Sequence, residues 1–241
     1  NFYIESGDTE KAIEALDNSK SNTDDADVKE NNTIKIIGIK LQKKDYRDME
    51  KYLEEIADPE ERAYYSAQYY AQKKDPKLVK EYETLLKSEK YKAYASKALG
   101  DYYFDKKDLA KAKKYYGTHV SVNKNPDEHV LYRLGQANEK ENNLKMALAD
   151  YKLVYEKKGK LAEDAMLRAA EIYDRQENNV EAEKLFTKLY ATKGNKDLKA
   201  YSIEKLIYYK LLNEKTKEAK KYYDELKKLD AKRAEKFKAY F

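Results

Sequence analysis

Three 18-residue blocks of the chain repeat one order of apolar and polar positions. They begin at Leu99, Leu134 and Ala169, so successive starts differ by 35 residues. Each block has a small residue second, an Ala twelve positions later and an aromatic residue four positions beyond that Ala. Apolar residues spaced by three or four are typical of a helix that buries one face. The pattern therefore predicts pairs of antiparallel helices that recur along the chain.

Small residues mark the predicted helix crossings. A small side chain lets two helix axes approach, and an aromatic ring one turn further on fills the space against the next pair. The equivalent second-helix anchors along the whole chain are Ala12, Met49, Leu78, Ala112, Ala147, Ala182 and Ala219. They predict seven helix pairs, the first of them truncated, over nearly the whole chain.

The predicted turns within the pairs share a short motif. Lys-Lys-Asp recurs at residues 43–45, 73–75 and 106–108, each time just before a second helix, and Asn142 with Asn143 takes the same place. Lys near a helix C-terminus and Asp at an N-cap both complement the helix dipole, and the Asp side chain can accept an unpaired backbone N–H. The turns support the helix pairs independently of the apolar pattern.

These features resemble the tetratricopeptide repeat, which has a small residue and a Tyr three positions later in its first helix, and an Ala and an aromatic residue in its second. The matching residues are Gly100, Tyr103, Ala112 and Tyr116, then Gly135, Ala147 and Tyr151, then Ala170, Tyr173, Ala182 and Phe186. Asn138 stands where the second repeat should have Tyr. Near the N-terminus, Ile37 takes the small position unless a one-residue slip puts Gly38 there.

The resemblance implies the fold class and the domain organisation. We expect an all-α chain, a right-handed α-solenoid of about six to seven antiparallel helix pairs forming one domain over residues 1–241. The repeats are clearest over residues 92–192 and degenerate over 1–57, and 230–241 are expected to form a last helix or cap. The stretch from Asn18 to Asn32 is either a long loop or a frayed helix start. We also expect the chain to be the C-terminal portion of a longer protein.

Composition narrows the classes of function. The chain has 7 Gly, 3 Pro and no Cys, which disfavours sheet-rich folds and excludes disulfides and thiolate metal sites. No apolar stretch is long enough to cross a membrane. Phosphate-binding Gly motifs are missing, and the two histidines, His119 and His129, stand ten residues apart without a metal-binding pattern. The sequence therefore predicts no enzyme, no cofactor and no metal.

Proteins similar to this one bind a protein or peptide along a concave surface lined by first helices, so we expect that kind of partner and no small-molecule substrate. The expected groove residues are Tyr70, Tyr94, Lys97, Asp101, Phe104, His129, Tyr132, Gln136, Glu139, Glu171, Tyr201 and Tyr208, with Leu167, Asp174 and Glu204 on the same face. Tyr suits recognition because it buries area at low entropic cost. The total of 25 Tyr fits an AT-rich genome equally well, so packing stays an alternative role. The sequence does not predict an oligomeric state.

An alternative function rests on charge. Residues 196–241 hold 14 Lys or Arg against 8 Asp or Glu, whereas the rest of the chain is nearly neutral. Such a segment can bind nucleic acid or an anionic surface, or it can be a solvated cap. Nucleic acid is the minor alternative because the central repeats carry little net charge. Residues 162–190 also resemble bacterial envelope repeat proteins of the outer-membrane assembly or Tol-Pal type, which implies a periplasmic scaffold, with a cytoplasmic location still open.

Overall fold

The computed structural model describes residues 8–192 and 195–241, and all regular secondary structure in those two ranges is helical. The α-helices are α1 (Thr9–Ser21), α2 (Ala26–Lys43), α3 (Met49–Glu54), α4 (Pro59–Lys73), α5 (Leu78–Leu85), α6 (Lys92–Asp105), α7 (Leu109–Val122), α8 (Glu128–Lys140), α9 (Leu144–Glu156), α10 (Ala162–Arg175), α11 (Asn179–Tyr190), α12 (Lys196–Leu212), α13 (Thr216–Leu229) and α14 (Ala231–Ala234). A 3-10 helix over Glu235–Tyr240 follows. The truncated first pair predicts the end of a first helix before α1, within residues 1–7. Those residues lie outside the part of the chain that the structure describes.

The helices fall into two compact units. Unit 1 comprises the described residues up to 106 together with 121–123, and in it α2 packs on α1 and α3, and α5 on α4 and α6. Unit 2 comprises residues 107–120 and 124–241, and in it α8 to α13 pack in chain order as antiparallel neighbours, closed by α14 and the 3-10 helix. Both units are therefore stacks of helix pairs, as the periodicity predicts.

The predicted anchors are buried in the second helices. All seven anchors are in α1, α3, α5, α7, α9, α11 and α13, and all seven are buried. In unit 2, Tyr116, Tyr151 and Phe186 are fully buried one turn beyond their anchors. The positions that the repeat pattern assigns to small or compact residues are thus buried, as close helix packing requires.

The surroundings of two glycines show which alignment of the repeat motif is correct near the N-terminus. A Cβ added to Gly135 would stand 2.7 Å from the Tyr151 ring, so this position requires the close approach that only Gly permits. A Cβ on Gly38 would meet nothing within 4 Å, and Gly38 is exposed, whereas Ile37 is fully buried. The one-residue slip considered for Gly38 is therefore wrong, and Ile37 occupies the buried first-helix position.

The turns within the helix pairs contain residues in the left-handed conformation, which the sequence pattern did not predict. The middle Lys of each Lys-Lys-Asp motif is left-handed, with φ of 54° at Lys44, 56° at Lys74 and 63° at Lys107. The following Asp then accepts a backbone N–H, as Asp108 does from Lys111 at 3.1 Å. The equivalent residues of the later pairs, Asn142, Glu177 and Glu214, are left-handed as well. The chain ends its first helices with non-glycine residues at a position where Gly or Asn is the common choice.

The polar stretch near the N-terminus forms two helices with a short link. Helix α1 continues to Ser21, and Asp25 caps α2 by accepting the N–H groups of Asp27 and Val28 at 2.9 and 3.2 Å. The stretch from Asn18 to Asn32 is therefore not a long loop. At the other end, Asp230 caps α14, and the ring of Phe241 lies 4.9 Å from that of Tyr223, so the terminal residues cover the last pair.

Candidate functional site

The first helices of unit 2 share a polar surface that side chains link from helix to helix. Arg175 of α10 donates to the carboxylate of Glu139 on α8 at 2.7 Å, and Tyr151 donates to the same carboxylate at 2.9 Å. Burial lowers the pKa of the Arg168 guanidinium on α10, but the nearby Tyr132 and Glu139 on α8 outweigh this effect and raise it. These contacts hold the two first helices at a fixed spacing and leave charged groups at the surface.

The same arrangement continues from α10 to the last pair. Lys205 of α12 donates to Asp174 of α10 at 2.5 Å, and the hydroxyl of Tyr209 donates to the other oxygen of that carboxylate. Glu204 accepts from Lys236 at 2.7 Å in the C-terminal cap. Charges of both signs therefore alternate along the surface. We call this surface the unit 2 face, and its residues are Tyr132, Gln136, Glu139, Arg168, Glu171, Asp174, Arg175, Tyr201, Glu204, Lys205 and Tyr208.

The surroundings of Glu171, on the unit 2 face, disfavour the ionised form of its carboxyl group. Burial raises the pKa of Glu171 above its usual range, and the nearby Glu139 adds to this effect while Arg168 opposes it. The ion pair between Arg168 and Glu171 is long, at 3.9 Å. Glu171 is thus a partly desolvated carboxylate that a donor from a partner would stabilise.

The predicted groove residues of unit 2 differ in how far their side chains are exposed to solvent. Tyr208 is 51% exposed and is the most accessible ring of the face. Tyr132 and Tyr201 are half-buried, because Tyr132 packs on Tyr151 and Tyr201 lies edge-on to Phe186 at 5.7 Å between ring centres. The remaining predicted residues of unit 2 are also half-buried: His129, Gln136, Glu139 and Glu171.

The predicted residues of unit 1 form a separate group. Tyr94 is 38% exposed, but its ring centre lies 5.2 Å from that of Tyr64 and 5.8 Å from that of Tyr82. Burial raises the pKa of Tyr94, which agrees with a packing role. Tyr70 is half-buried against Tyr69. The other predicted residues of unit 1, Lys97, Asp101 and Phe104, are half-buried on α6. Asp101 lines an open cleft of about 550 Å³ between α4, α5 and α6.

Many tyrosines join neighbouring repeats through their hydroxyl groups. Tyr52 donates to Asp17 at 2.7 Å, and Tyr190 donates to Glu225 at 2.8 Å. In both pairs, as in Tyr209 with Asp174, the partners stand 35 residues apart. The bond to Glu225, with burial, raises the pKa of Tyr190 to about 12. These three tyrosines therefore stabilise the stacking of neighbouring repeats.

Sequence reasoning missed the basic members of the unit 2 face. Arg133, Arg168 and Lys205 each stand fourteen residues before the anchor of their pair, so one first-helix position is basic in three successive repeats. That regularity is the signal that could have identified Arg168 and Lys205. The groove residues predicted from the sequence stand next to this basic position. They therefore include the acidic partners of these basic residues but not the basic residues themselves.

Other features bear on the alternative functions. Within residues 8–192 and 195–241, no group of three or more His, Cys, Asp or Glu side chains is arranged to hold a metal ion, and no helix is sufficiently long and apolar to cross a membrane. In the basic C-terminal segment, Lys210 bridges Glu183 and Glu218 at 2.9 and 2.8 Å, and Lys199 pairs with Glu225 at 2.9 Å. Such pairs neutralise part of its charge.

Comparisons with known proteins identify the fold. No protein-family model matches the sequence, and no curated protein sequence matches it at a significant level. Among solved structures, the chain is similar to the C-terminal part of a TPR repeat-containing protein from Cytophaga hutchinsonii, with 19% identity and a TM-score of 0.69 over 97% of this chain and 95% of that one.

Two further structures agree. PilF of Pseudomonas aeruginosa gives 17% identity and a TM-score of 0.52 over 89% of this chain and 98% of that one, and MamA gives 18% and 0.52 over 70% and 96%. The narrower resemblance to Tol-Pal or outer-membrane assembly proteins is not confirmed. The all-helical chain of paired helices has the fold of the tetratricopeptide-repeat proteins.

Proposed function

We propose that the chain is a non-catalytic scaffold that binds a protein or peptide through the unit 2 face. The observation that carries the proposal is the network of side chains between first helices, from Glu139 and Arg175 to Asp174 and Lys205. It holds charges of both signs in place on the face that also carries the exposed ring of Tyr208. A surface that is ordered before binding loses little side-chain entropy when a partner arrives.

The chemistry of this face favours a polypeptide over other ligands. A polypeptide offers backbone donors and acceptors together with side chains of both charges, which match alternating Arg, Lys, Glu and Asp. Glu171 would gain from a partner's donor, and Tyr208 offers a ring that can pack and hydrogen-bond. A nucleic acid or an anionic surface needs an excess of cations instead. The acidic residues of the unit 2 face, Glu139, Glu171, Asp174 and Glu204, oppose such a ligand.

A capture experiment with matched variants tests the proposal. The purified chain is used as bait in a nuclease-treated lysate of the source organism, beside Arg168→Ala/Tyr208→Ala and the control Val180→Ala. Val180 is 76% exposed on α11 and is not a member of the unit 2 face, so its change should leave both stability and binding unaltered. Melting curves of all three proteins establish that each is folded.

The expected result is a protein captured by the parent chain and by the Val180 variant and lost with the double variant, and retained at high salt. Equal capture by all three baits would place the binding site elsewhere. Material that is captured only in a parallel experiment without nuclease, and equally by the double variant, would transfer the function to the basic C-terminal segment.

A further inference from the structure

The second helix α9 has an apolar outer surface. Met146, Ala149 and Leu153 are spaced by three and four residues, so they lie on one face of the helix. All three are exposed, and the two large side chains are 58% exposed at Met146 and 50% at Leu153. Single exposed apolar residues are common, but a stripe at helical spacing indicates a contact surface.

The stripe is specific to α9. Relative to the anchor of each second helix, its members stand one residue before, two after and six after Ala147. The other six second helices have polar or charged residues at all three places: Lys11, Glu14 and Asn18; Asp48, Lys51 and Glu55; Lys77, Lys80 and Thr84; Lys111, Lys114 and Thr118; Glu181, Lys184 and Lys188; Glu218, Lys221 and Glu225. The repeat itself therefore does not require apolar residues there, and α9 departs from its own pattern.

A cleft adjoins the stripe. It has a volume of about 380 Å³ and lies between α9 and the C-terminal end of α10. Ala149 belongs to both the stripe and the cleft, and Leu148, Tyr155 and Tyr173 supply further apolar or aromatic lining. The cleft gives the stripe a concave border into which a large side chain of a partner can insert.

Cations surround this apolar surface. Lys145 and Lys152 line the cleft beside the stripe. Within unit 2, the second helices before and after α9 present Lys114 and Lys184 at the position of Ala149. The carboxylate of Glu156 is 3.8 Å from Lys152 and offsets part of this charge. Glu181 likewise pairs with Lys184 at 3.3 Å, but the four lysines outnumber these two carboxylates, so the surroundings complement an acidic border on a partner.

We propose that the outer surface of α9 is a second protein-docking surface, and that it receives an amphipathic helix whose apolar side chains are bordered by Asp and Glu. Apolar residues at spacings of three, four and seven on such a helix would pack along Met146, Ala149 and Leu153, with one side chain in the cleft. Its carboxylates would meet Lys145 and Lys152. This surface is on a second helix and is distinct from the unit 2 face.

Designed peptides test both the apolar contacts and the ionic contacts of the proposed docking surface. One fluorescent helical peptide carries Leu at those spacings flanked by Glu, and its twin carries Lys at the flanking positions. Anisotropy titrations compare the parent chain with Met146→Ser/Leu153→Ser, with Lys145→Glu/Lys152→Glu and with Val180→Ser as the exposed apolar control. All substituted side chains are exposed, so melting temperatures should change little.

The expected result is that the Glu peptide binds the parent at least about tenfold more tightly than the Lys peptide. The double Ser variant should lose about tenfold in affinity for the Glu peptide, Val180→Ser should lose almost nothing, and the double Glu variant should prefer the Lys peptide. Equal binding of both peptides, or unchanged binding to the double Ser variant, would overturn the proposal. Sedimentation showing a dimer of the parent that the double Ser variant loses would also overturn it, because a second copy would then occupy the surface.

Discussion

Asn138 donates a hydrogen bond of 2.8 Å to the carboxylate of Asp150, and both side chains are buried at the crossing of α8 and α9. Asn138 occupies the place where the repeat motif has Tyr, so a polar pair replaces an aromatic ring. Burial raises the pKa of Asp150 to about 6, although the bond from Asn138 opposes the shift. The carboxylate is therefore a source of pH-dependent stability.

Asp150→Asn is expected to stabilise the chain at neutral pH. Because the folded-state pKa exceeds the unfolded value, the stability contributed by protonation is complete below about pH 4 and is lost as pH rises through about 6. A shift of this size corresponds to about 2 to 3 kcal/mol. Urea unfolding across pH should show the gain at pH 7.5 and its loss near pH 4. A constant difference between the two proteins at all pH values would exclude this origin.

Gly135→Ala is expected to destabilise the chain by about 1 to 3 kcal/mol, because the new Cβ would collide with the buried Tyr151 ring. Gly38→Ala is the matched control, since it is also in a first helix but has open space around it. There Ala should stabilise by about 0.5 to 1 kcal/mol through helix propensity. Chemical denaturation measures both changes, and the same sign for both would contradict the assigned crossing.

Ala147→Trp and Ala149→Trp test the register of α9. Ala147 is fully buried and Ala149 is exposed two positions further round the helix. Overpacking at Ala147 should cost about 1 to 3 kcal/mol or more, and the change at Ala149 should cost much less. Thermal melting of the two variants is sufficient, and equal melting temperatures would show that the register is wrong.

Glu177→Asn is expected to stabilise the turn between α10 and α11 by about 0.5 kcal/mol. Glu177 has a φ of 56°, and its counterpart in the preceding repeat, Asn142, adopts a φ of 59°. Asn tolerates the left-handed region better than Glu does. Lys184→Asn in the interior of α11 is the control and should lose a similar amount through helix propensity. A loss of stability at residue 177 would mean that its side chain contributes more than its backbone strain costs.

The fold was predictable because the repeat imposes the same steric demand every 35 residues or so. Small anchors, aromatic residues and turn motifs are local signals, and Ala112, Ala147 and Ala182 lie where these signals place them. Left-handed residues such as Lys44 and Glu177 were not predictable, since Lys and Glu are uncommon in that conformation. The role of Gly38 was not predictable either, because residue type alone cannot distinguish an exposed Gly from one at a helix crossing.

The candidate site was less predictable because recognition of a groove position does not define the side chain's partners. Tyr94 and Tyr132 were expected to face a ligand, but the ring of each packs within its own unit, on Tyr64 and Tyr151 respectively. Alanine at Tyr94 or Tyr132 should therefore lower stability as well as any binding, which makes them poor probes. Tyr208 is the better probe, since half of it is exposed.

Site-specific photo-crosslinking at Tyr208 is the most direct measurement of protein binding by the unit 2 face. A photoreactive phenylalanine analogue replaces Tyr208 in cells of the source organism, with the same analogue at Val180 and at Lys217 in parallel proteins. We expect a protein adduct at position 208 and none at 180 or 217. Adducts at position 217 alone, or equally at all three positions, would contradict binding through the unit 2 face.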